Sequence, residues 1–192
     1  MSEKEIIGML KAPSLNLTAL STSLDALSHE QRVALLPKFT RRIQRRLYDA
    51  AQGHLVTMED MVPASYGPLE EVIHEGINTL VGFRFFQKRF CKATTSESIL
   101  LGYNHQDFSG VTGPGYFEAY VEQSEFCIDY RKLPTERPTS WPKLIPNEKK
   151  LGRFVYAGTV DKMRKVSTHV TIGRAYKGAK ALPAWFILIR KP

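Results

Sequence analysis

In the C-terminal half of the sequence, apolar residues recur at every second position, which is the pattern of strands with one buried face. This alternation begins near residue 97, and eight of the 13 glycines lie beyond that point. Short connections that contain glycine, such as the one at 177–180, are typical of antiparallel hairpins. The predicted strands are 99–105, 117–121, 126–130, 154–160, 166–172 and 184–189.

Six or more consecutive antiparallel strands usually close into a barrel or pack as a sandwich, because an open edge invites aggregation. No segment between them has the length and period of a helix, which excludes a parallel sheet with helical crossovers. We therefore predict an α+β protein in which N-terminal helices pack on a C-terminal antiparallel β-barrel. The helical region is assigned to residues 1–95 and the barrel to 96–192, together as one compact unit.

The N-terminal region carries helix signals. Ser28 and Gln31 have the spacing of a capping box, and apolar residues between 35 and 47 then recur at steps of three and four. Pro37 must either kink this helix or begin its second segment, because proline has no backbone donor. A further helix is predicted over 68–76, with Pro68 at its start and Gly76 at its end.

Segment 79–92 fits two interpretations. Phe83, Phe86 and Phe90 lie at helical spacing, whereas the alternation of Phe83 with Phe85 permits a strand. We interpret the segment as a helix. On that helix three cationic side chains would face solvent: Arg84, Lys88 and Arg89.

A proline-rich segment interrupts the predicted strands. Residues 133–152 contain four of the 11 prolines, with Trp141 between them. Repeated proline favours extended chain and is incompatible with a central strand. We expect a long loop that acts as a flap over the barrel.

Charge and composition exclude several classes of protein. The formal charge is +8, but residues 1–97 carry 12 basic and 11 acidic side chains, whereas residues 98–192 carry 15 and 8. The N-terminus lacks the pattern of a secretory signal, and no apolar run approaches the roughly 20 residues of a membrane helix. Cys91 and Cys127 are too few for a disulfide scaffold, so both are expected to be reduced and buried. A cytoplasmic protein is expected.

No motif for a known chemistry is present. The glycine-rich stretch 110–115 lacks the Lys-Ser/Thr and the helix of a phosphate loop, so a β-turn is expected there. The five histidines have no metal-ligand spacing. We therefore expect neither a metal site nor a cofactor.

The last strands resemble those of lipocalin-like, calycin-type β-barrels. The resemblance covers about 40 residues and implies a closed antiparallel barrel that binds a small molecule inside. It is carried by the segments Phe154-Val155-Tyr156, Asp161-Lys162-Met163-Arg164-Lys165-Val166, Ile172-Gly173 and Trp185-Phe186-Ile187-Leu188.

The first functional hypothesis is non-covalent binding of a small apolar or anionic molecule in the barrel cavity, which requires a hollow barrel. The candidate ligand-binding residues are Tyr103, His105, Tyr116, Arg164, His169 and Trp185.

Two alternatives stay open. One is an enzyme that uses the same cavity, with His105 or His169 as acid or base and an Asp or Arg to orient it. Asp129 or Asp161, near a His or Arg, could also serve as the acid or base. The other, ranked behind it, is a basic adaptor at an anionic membrane or a nucleic acid. The adaptor would use the arginine stripe, defined as Arg41, Arg42, Arg45 and Arg46, with the C-terminal lysines.

Overall fold

The fold is known from a computed structural model, which describes residues 3–80, 84–106, 113–146 and 158–192. The described residues form five helices: α1 (Glu3–Lys11), α2 (Leu17–Asp25), α3 (His29–Ala34), α4 (Arg41–Ala50) and α5 (Met58–Met61). They also form eight strands: β1 (Val72–Asn78), β2 (Phe85–Lys92), β3 (Leu100–His105), β4 (Tyr116–Glu122), β5 (Glu125–Asp129), β6 (Thr159–Lys165), β7 (Val170–Lys177) and β8 (Lys180–Arg190).

The strands form a closed antiparallel barrel in sequence order. Each strand pairs with the next one, and β8 returns to pair with β1. The predicted fold class, helices followed by an antiparallel barrel, is confirmed. We call the end where β2, β4, β6 and β8 begin the upper end, and the opposite end the lower end.

The barrel begins earlier in the chain than predicted, and two predicted helices are wrong. Segment 68–76 leads into β1, and the described part of 79–92 belongs to β2. These strands pair in register, with Val72 opposite Phe90 and Ile77 opposite Phe85. Two strands of the barrel, β1 and β2, therefore precede residue 96. Phe86 and Phe90 are four residues apart, a spacing that fits a helix and one face of a strand equally well.

The predicted strand over 166–172 is also displaced. Residues 166–169 form the turn between β6 and β7. The Val166 amide closes this turn by donating a hydrogen bond to the Val170 carbonyl at 2.9 Å. The predicted strands 99–105, 117–121, 126–130 and 184–189 overlap β3, β4, β5 and β8, whereas 154–157 of the remaining one lies outside the described residues. The hairpin at 177–180 is confirmed, with Gly178 at φ 58° in the left-handed region.

The predicted helix signals in the first half are confirmed where they were strongest. Ser28 caps α3 in a capping box with Gln31. Pro37 ends that helix in a short 3-10 turn, and Thr40 then caps α4. The two helices are separate because proline lacks the donor that a continuous helix needs.

Side chains pack on both sides of the barrel wall. The outer face of β7 and β8 is covered by the helices, so Ile172 and Ile187 lie under α4 rather than inside the barrel. The outer face of β2, β3 and β4 is covered by Trp141 of the proline-rich segment. The barrel interior holds a separate apolar cluster: Val72, Phe86, Phe90, Leu100, Phe117, Ala119, Phe126, Ile128, Tyr130, Met163, Phe186 and Leu188, with α5 side chains below it.

Interior glycines make room for the aromatic rings. A Cβ on Gly102 would lie 2.3 Å from the Phe117 ring, and one on Gly173 would lie 2.2 Å from the Phe186 ring. Such distances are far below van der Waals contact, so both positions require glycine for the interior to pack.

The described part of the proline-rich segment, 133–146, contains no helix or strand, and it lies against the barrel through Trp141. The Trp141 indole donates a hydrogen bond to Glu71 at 2.6 Å, and the Tyr116 hydroxyl donates to the Pro142 carbonyl at 2.5 Å. The rest of the predicted flap and residues 110–112 of the glycine-rich stretch lie outside the described residues.

Cys91 and Cys127 are free and buried, as predicted. None of the described helices has the length and apolar character needed to span a bilayer.

Candidate functional site

A row of polar side chains crosses the inner wall of the barrel. Arg190 on β8 is the register partner of His74 on β1, His74 is the partner of Lys88 on β2, and Lys88 is the partner of Asn104 on β3. All four are buried. Because barrel strands tilt against the axis, the row climbs from Arg190 at the lower end to Asn104 near the upper end.

Lys88 is the centre of this row. Its ammonium is 2% exposed, and it donates hydrogen bonds to Asn104 Oδ1 at 2.9 Å and to the Tyr130 hydroxyl. Asp161 Oδ2 lies 3.5 Å from Nζ. Tyr130 follows β5 and Asp161 lies on β6, and neither of these strands pairs with β2. These contacts therefore run across the barrel interior.

Aromatic rings surround the same ammonium. Its Nζ lies 4.7 Å from the centre of the Phe186 ring, 4.9 Å from Tyr130, 5.2 Å from Phe117 and 5.7 Å from Phe86. A cation over aromatic faces is stabilised by the ring quadrupoles, which replace part of its lost hydration. Lys88 thus lies in a cage of aromatic rings with one carboxylate.

Burial moves both charged partners towards their neutral forms. Desolvation lowers the pKa of Lys88 to about 8, although the attraction of Asp161 opposes this change. Desolvation also raises the pKa of Asp161 above its ordinary value, and Lys88 and Tyr130 oppose it by attraction and hydrogen bonding. The site therefore combines an amine with a lowered pKa and a carboxyl group with a raised pKa.

The lower part of the row is held by α5. His74 Nε2 lies 2.8 Å from the Met61 carbonyl, and because a carbonyl only accepts, this nitrogen carries the proton. Burial lowers the pKa of His74 to about 3, assisted by the charges of Arg190 and Lys88. His74 is therefore a neutral imidazole between two cations.

The predicted ligand-binding tyrosines lie on the outer wall. Tyr103 and Tyr116 are register partners whose rings pack with Trp141. His105 lies on the same face, edge-on to Tyr103 at 6.2 Å between ring centres. The structure brings these three residues together on the outer wall, where Tyr103 and Tyr116 pack against Trp141 and His105 lies beside Tyr103.

The other three predicted residues lie under the helical layer. Arg164 donates to the Tyr48 carbonyl at 2.6 Å and stacks over the Tyr48 ring. Trp185 is buried against α4, with Arg174 over its ring at 4.9 Å. His169 is in the turn before β7 and does not reach the interior. These residues join the helices to the barrel.

The two aspartates of the enzyme alternative have different partners. Asp129 accepts two hydrogen bonds from the Arg131 guanidinium at 2.8 Å and one from Tyr120 at 2.9 Å. Burial alone would raise the pKa of Asp129, but these donors outweigh it and the pKa is lowered. Asp161 instead pairs with Lys88, so neither aspartate is paired with His105 or His169.

The arginine stripe divides between structural and exposed roles. Arg41 donates to the Pro183 carbonyl at 3.0 Å, and Arg46 donates to carbonyls at the end of α1. Arg42 and Arg45 are exposed. The stripe is therefore not a continuous free surface for a polyanion.

The central residue of the interior site was missed by the sequence interpretation, which placed Lys88 on a solvent face. The signal that could have found it is the run Phe86-Gln87-Lys88-Arg89-Phe90, where Lys88 shares the face of two phenylalanines if the segment is a strand. His74 was missed for the same reason, because its segment was interpreted as a helix.

No protein-family model matches this chain, and no curated protein matches it either. The polar row of the barrel interior is therefore the feature from which a function is argued.

Proposed function

We propose that the barrel binds a small organic anion at its upper end, with Lys88 as the counter-charge and the surrounding rings as the apolar contact surface. The observation that carries this proposal is the Lys88 ammonium, which is buried among four aromatic rings and, among the described residues, pairs with one carboxylate, that of Asp161.

The energetic argument rests on preorganisation. Folding has already removed Lys88 from water. When a ligand carboxylate binds to it, the desolvation cost of binding is therefore that of the carboxylate alone. Asp161 has a raised pKa, so it accepts a proton when a second anion approaches the amine. Proton uptake at Asp161 is therefore expected to accompany ligand binding.

The packing of the barrel interior limits where a ligand can enter. Phe90, Phe117 and Phe126 belong to the cluster that packs below the level of Lys88. The ligand therefore has to enter from the upper end, past Phe86 and Phe186, whose rings lie edge-on at 6.1 Å. Binding within a closed eight-strand barrel is also what the resemblance to lipocalin-like barrels implies.

The test uses 2-naphthoate as a probe, because it joins a flat apolar body to one carboxylate. We expect the probe to raise the thermal midpoint of the wild-type protein and to lose this effect in Lys88→Met. The matched control is Lys162→Met, which removes the neighbouring outward-facing lysine that pairs with Glu125. Native mass spectrometry of the purified protein then shows whether a small molecule accompanies it. Equal stabilisation of wild type and Lys88→Met by the probe would falsify the proposal.

A second candidate function is carbonyl chemistry at Lys88, and the lowered pKa of its amine, about 8, favours it. A neutral lysine in an apolar site can add to an aldehyde carbonyl, and the resulting carbinolamine loses water to form an imine. Incubation with benzaldehyde followed by borohydride would fix the adduct covalently on Lys88, where peptide mass mapping locates it. Labelling confined to exposed lysines, with Lys88 unmodified, would reject this chemistry.

A further inference from the structure

A groove lies between α1 and α4 on the face of the helical layer. Its volume is about 500 Å³, within the range of sites that hold small organic ligands. Three aliphatic side chains form its apolar surface: Ile7 and Leu10 from α1, and Ile43 from α4. Leu10 and Ile43 are buried members of the helical core, so this surface is fixed by packing.

Four cations line the same groove: Lys11, Lys38, Arg42 and Arg46. No carboxylate belongs to the described lining residues, and Lys38 pairs with Glu3, whose carboxylate lies 3.7 Å from Lys38 Nζ. Within the described part of the chain, neither Lys11 nor Arg42 takes part in an ion pair. The groove therefore has a strong excess of positive charge.

Arg46 gives the groove its shape. Its guanidinium donates hydrogen bonds to the carbonyls of Leu10 at 3.2 Å and Pro13 at 3.1 Å, and also to the Ala12 carbonyl. These carbonyls belong to the end of α1, which would otherwise leave them without donors. Arg46 thereby holds α1 against α4 and keeps the groove between them open.

The combination of an apolar floor with a cationic rim fits an amphipathic anion. We propose that the α1–α4 groove binds a small molecule with a phosphate or carboxylate head, held by Arg42 and Lys11, and an aliphatic tail on Ile7, Leu10 and Ile43. This site is separate from the barrel interior, and the proposal does not rest on the function proposed for Lys88.

The shape of this surface favours a free molecule over a bilayer. Peripheral membrane attachment uses apolar side chains that protrude into the lipid. The described large apolar residues that are exposed are Leu55, Leu80, Phe85, Val121 and Leu133, and none of them lines the groove. The apolar atoms are instead recessed between two helices, where one chain can lie.

The experiment measures the binding of decyl phosphate by isothermal titration calorimetry at a concentration below micelle formation. Arg42→Glu combined with Lys11→Glu is expected to weaken binding at least tenfold. The matched control is Arg45→Glu, an exposed arginine on the same helix that does not line the groove, and it is expected to change the affinity less than twofold. Circular dichroism melting of each variant confirms that it is folded.

Further measurements separate the alternatives. Ethyl phosphate is expected to bind at least tenfold more weakly than decyl phosphate, because it lacks the tail. Lys88→Met is expected to bind decyl phosphate like the wild type, which separates the two proposed sites. The proposal is overturned if Arg45→Glu weakens binding as much as the double variant, or if decyl phosphate does not bind. It is also overturned if only vesicles of phosphatidylglycerol and phosphatidylcholine bind in an Arg42-dependent manner, since the groove would then serve a membrane.

Discussion

Lys88 and Asp161 meet across the interior of the barrel, with Nζ and Oδ2 3.5 Å apart, although they lie on strands that do not pair. Both side chains are almost fully buried. The desolvation of two charges is costly, and in this protein it is offset by their mutual attraction, by Asn104 and Tyr130, and by four aromatic rings.

Asp161→Asn is expected to destabilise the protein by roughly 2–4 kcal/mol at pH 7, because it leaves a buried ammonium without its counter-charge. This destabilisation should become smaller towards pH 9, because Lys88 has a pKa of about 8 and is already losing its proton there. Urea unfolding at both pH values measures the difference.

The double variant Lys88→Met with Asp161→Leu is expected to have an unfolding free energy within about 1 kcal/mol of that of the wild type, because a buried pair can be replaced by apolar groups. An Asp161→Asn variant as stable as the wild type at pH 7 would contradict this account.

His74 is expected to make the protein sensitive to acid. Its pKa is about 3 in the folded state and near 6.5 in an unfolded chain. Between these values the unfolded state binds a proton that the folded state does not, so stability falls as pH falls from 6.5 towards 3. The slope is about 1.4 kcal/mol per pH unit for one proton.

The measurement is the difference in unfolding free energy between wild type and His74→Gln, followed from pH 7 to pH 4. This difference should change with the slope given above, because the variant lacks the buried imidazole. His54→Gln is the control, since it removes an exposed imidazole and leaves His74 in place. A pH-independent difference for His74→Gln would show that the folded protein accepts the proton on this ring.

Gly102 is expected to tolerate no side chain. The added Cβ of Gly102→Ala would lie 2.3 Å from the Phe117 ring and 2.6 Å from the Arg89 carbonyl oxygen, so the strand itself would have to move. We expect a loss of roughly 2–3 kcal/mol in thermal or urea unfolding. The control is Gly8→Ala in α1, where the added Cβ meets nothing within 4 Å. There alanine should raise the unfolding free energy by roughly 0.5–1 kcal/mol, because it favours the helix more than glycine does. Equal effects at both positions would show that the barrel interior is loosely packed.

Trp141 is expected to hold the proline-rich segment on the barrel. Trp141→Ala removes the ring from contact with Tyr103, 4.9 Å away between centres, and the hydrogen bond to Glu71. We expect faster proteolysis within 133–146 and a decrease in the unfolding free energy of roughly 3 kcal/mol. Trp141→Phe keeps most of the packing and loses only the hydrogen bond, about 1–2 kcal/mol. If the alanine variant is cleaved at the wild-type rate, the segment is anchored elsewhere.

The candidate site could not be predicted from the sequence, because the alternation of apolar residues does not show which face of a strand lies inside the barrel. In β3 the alternate residues Leu101 and Tyr103 pack outward against Trp141, while Asn104 faces the interior. In β7 the alternate residues Val170 and Ile172 lie under the helices. A barrel wall covered on its outer side has two buried faces, so polarity alone does not separate them.

The sequence by itself determined the class of the fold. The capping box at Ser28, the break at Pro37 and the hairpin at 177–180 are local features, and local chemistry specifies them without help from the rest of the chain. The antiparallel barrel followed from the two-residue period of the later strands, because that period and the short connections depend only on neighbouring residues.

Only the tertiary structure decided that 72–78 and 85–92 are strands and that Lys88 is inside. Closure of the barrel requires β1 between β8 and β2, and this non-local pairing overrides the helical spacing of Phe86 and Phe90. The hydrogen-bond and ion-pair partners of Lys88 come from β3, the end of β5 and β6, up to 73 residues away in the chain. No local pattern encodes such contacts, because they exist only when the barrel has closed.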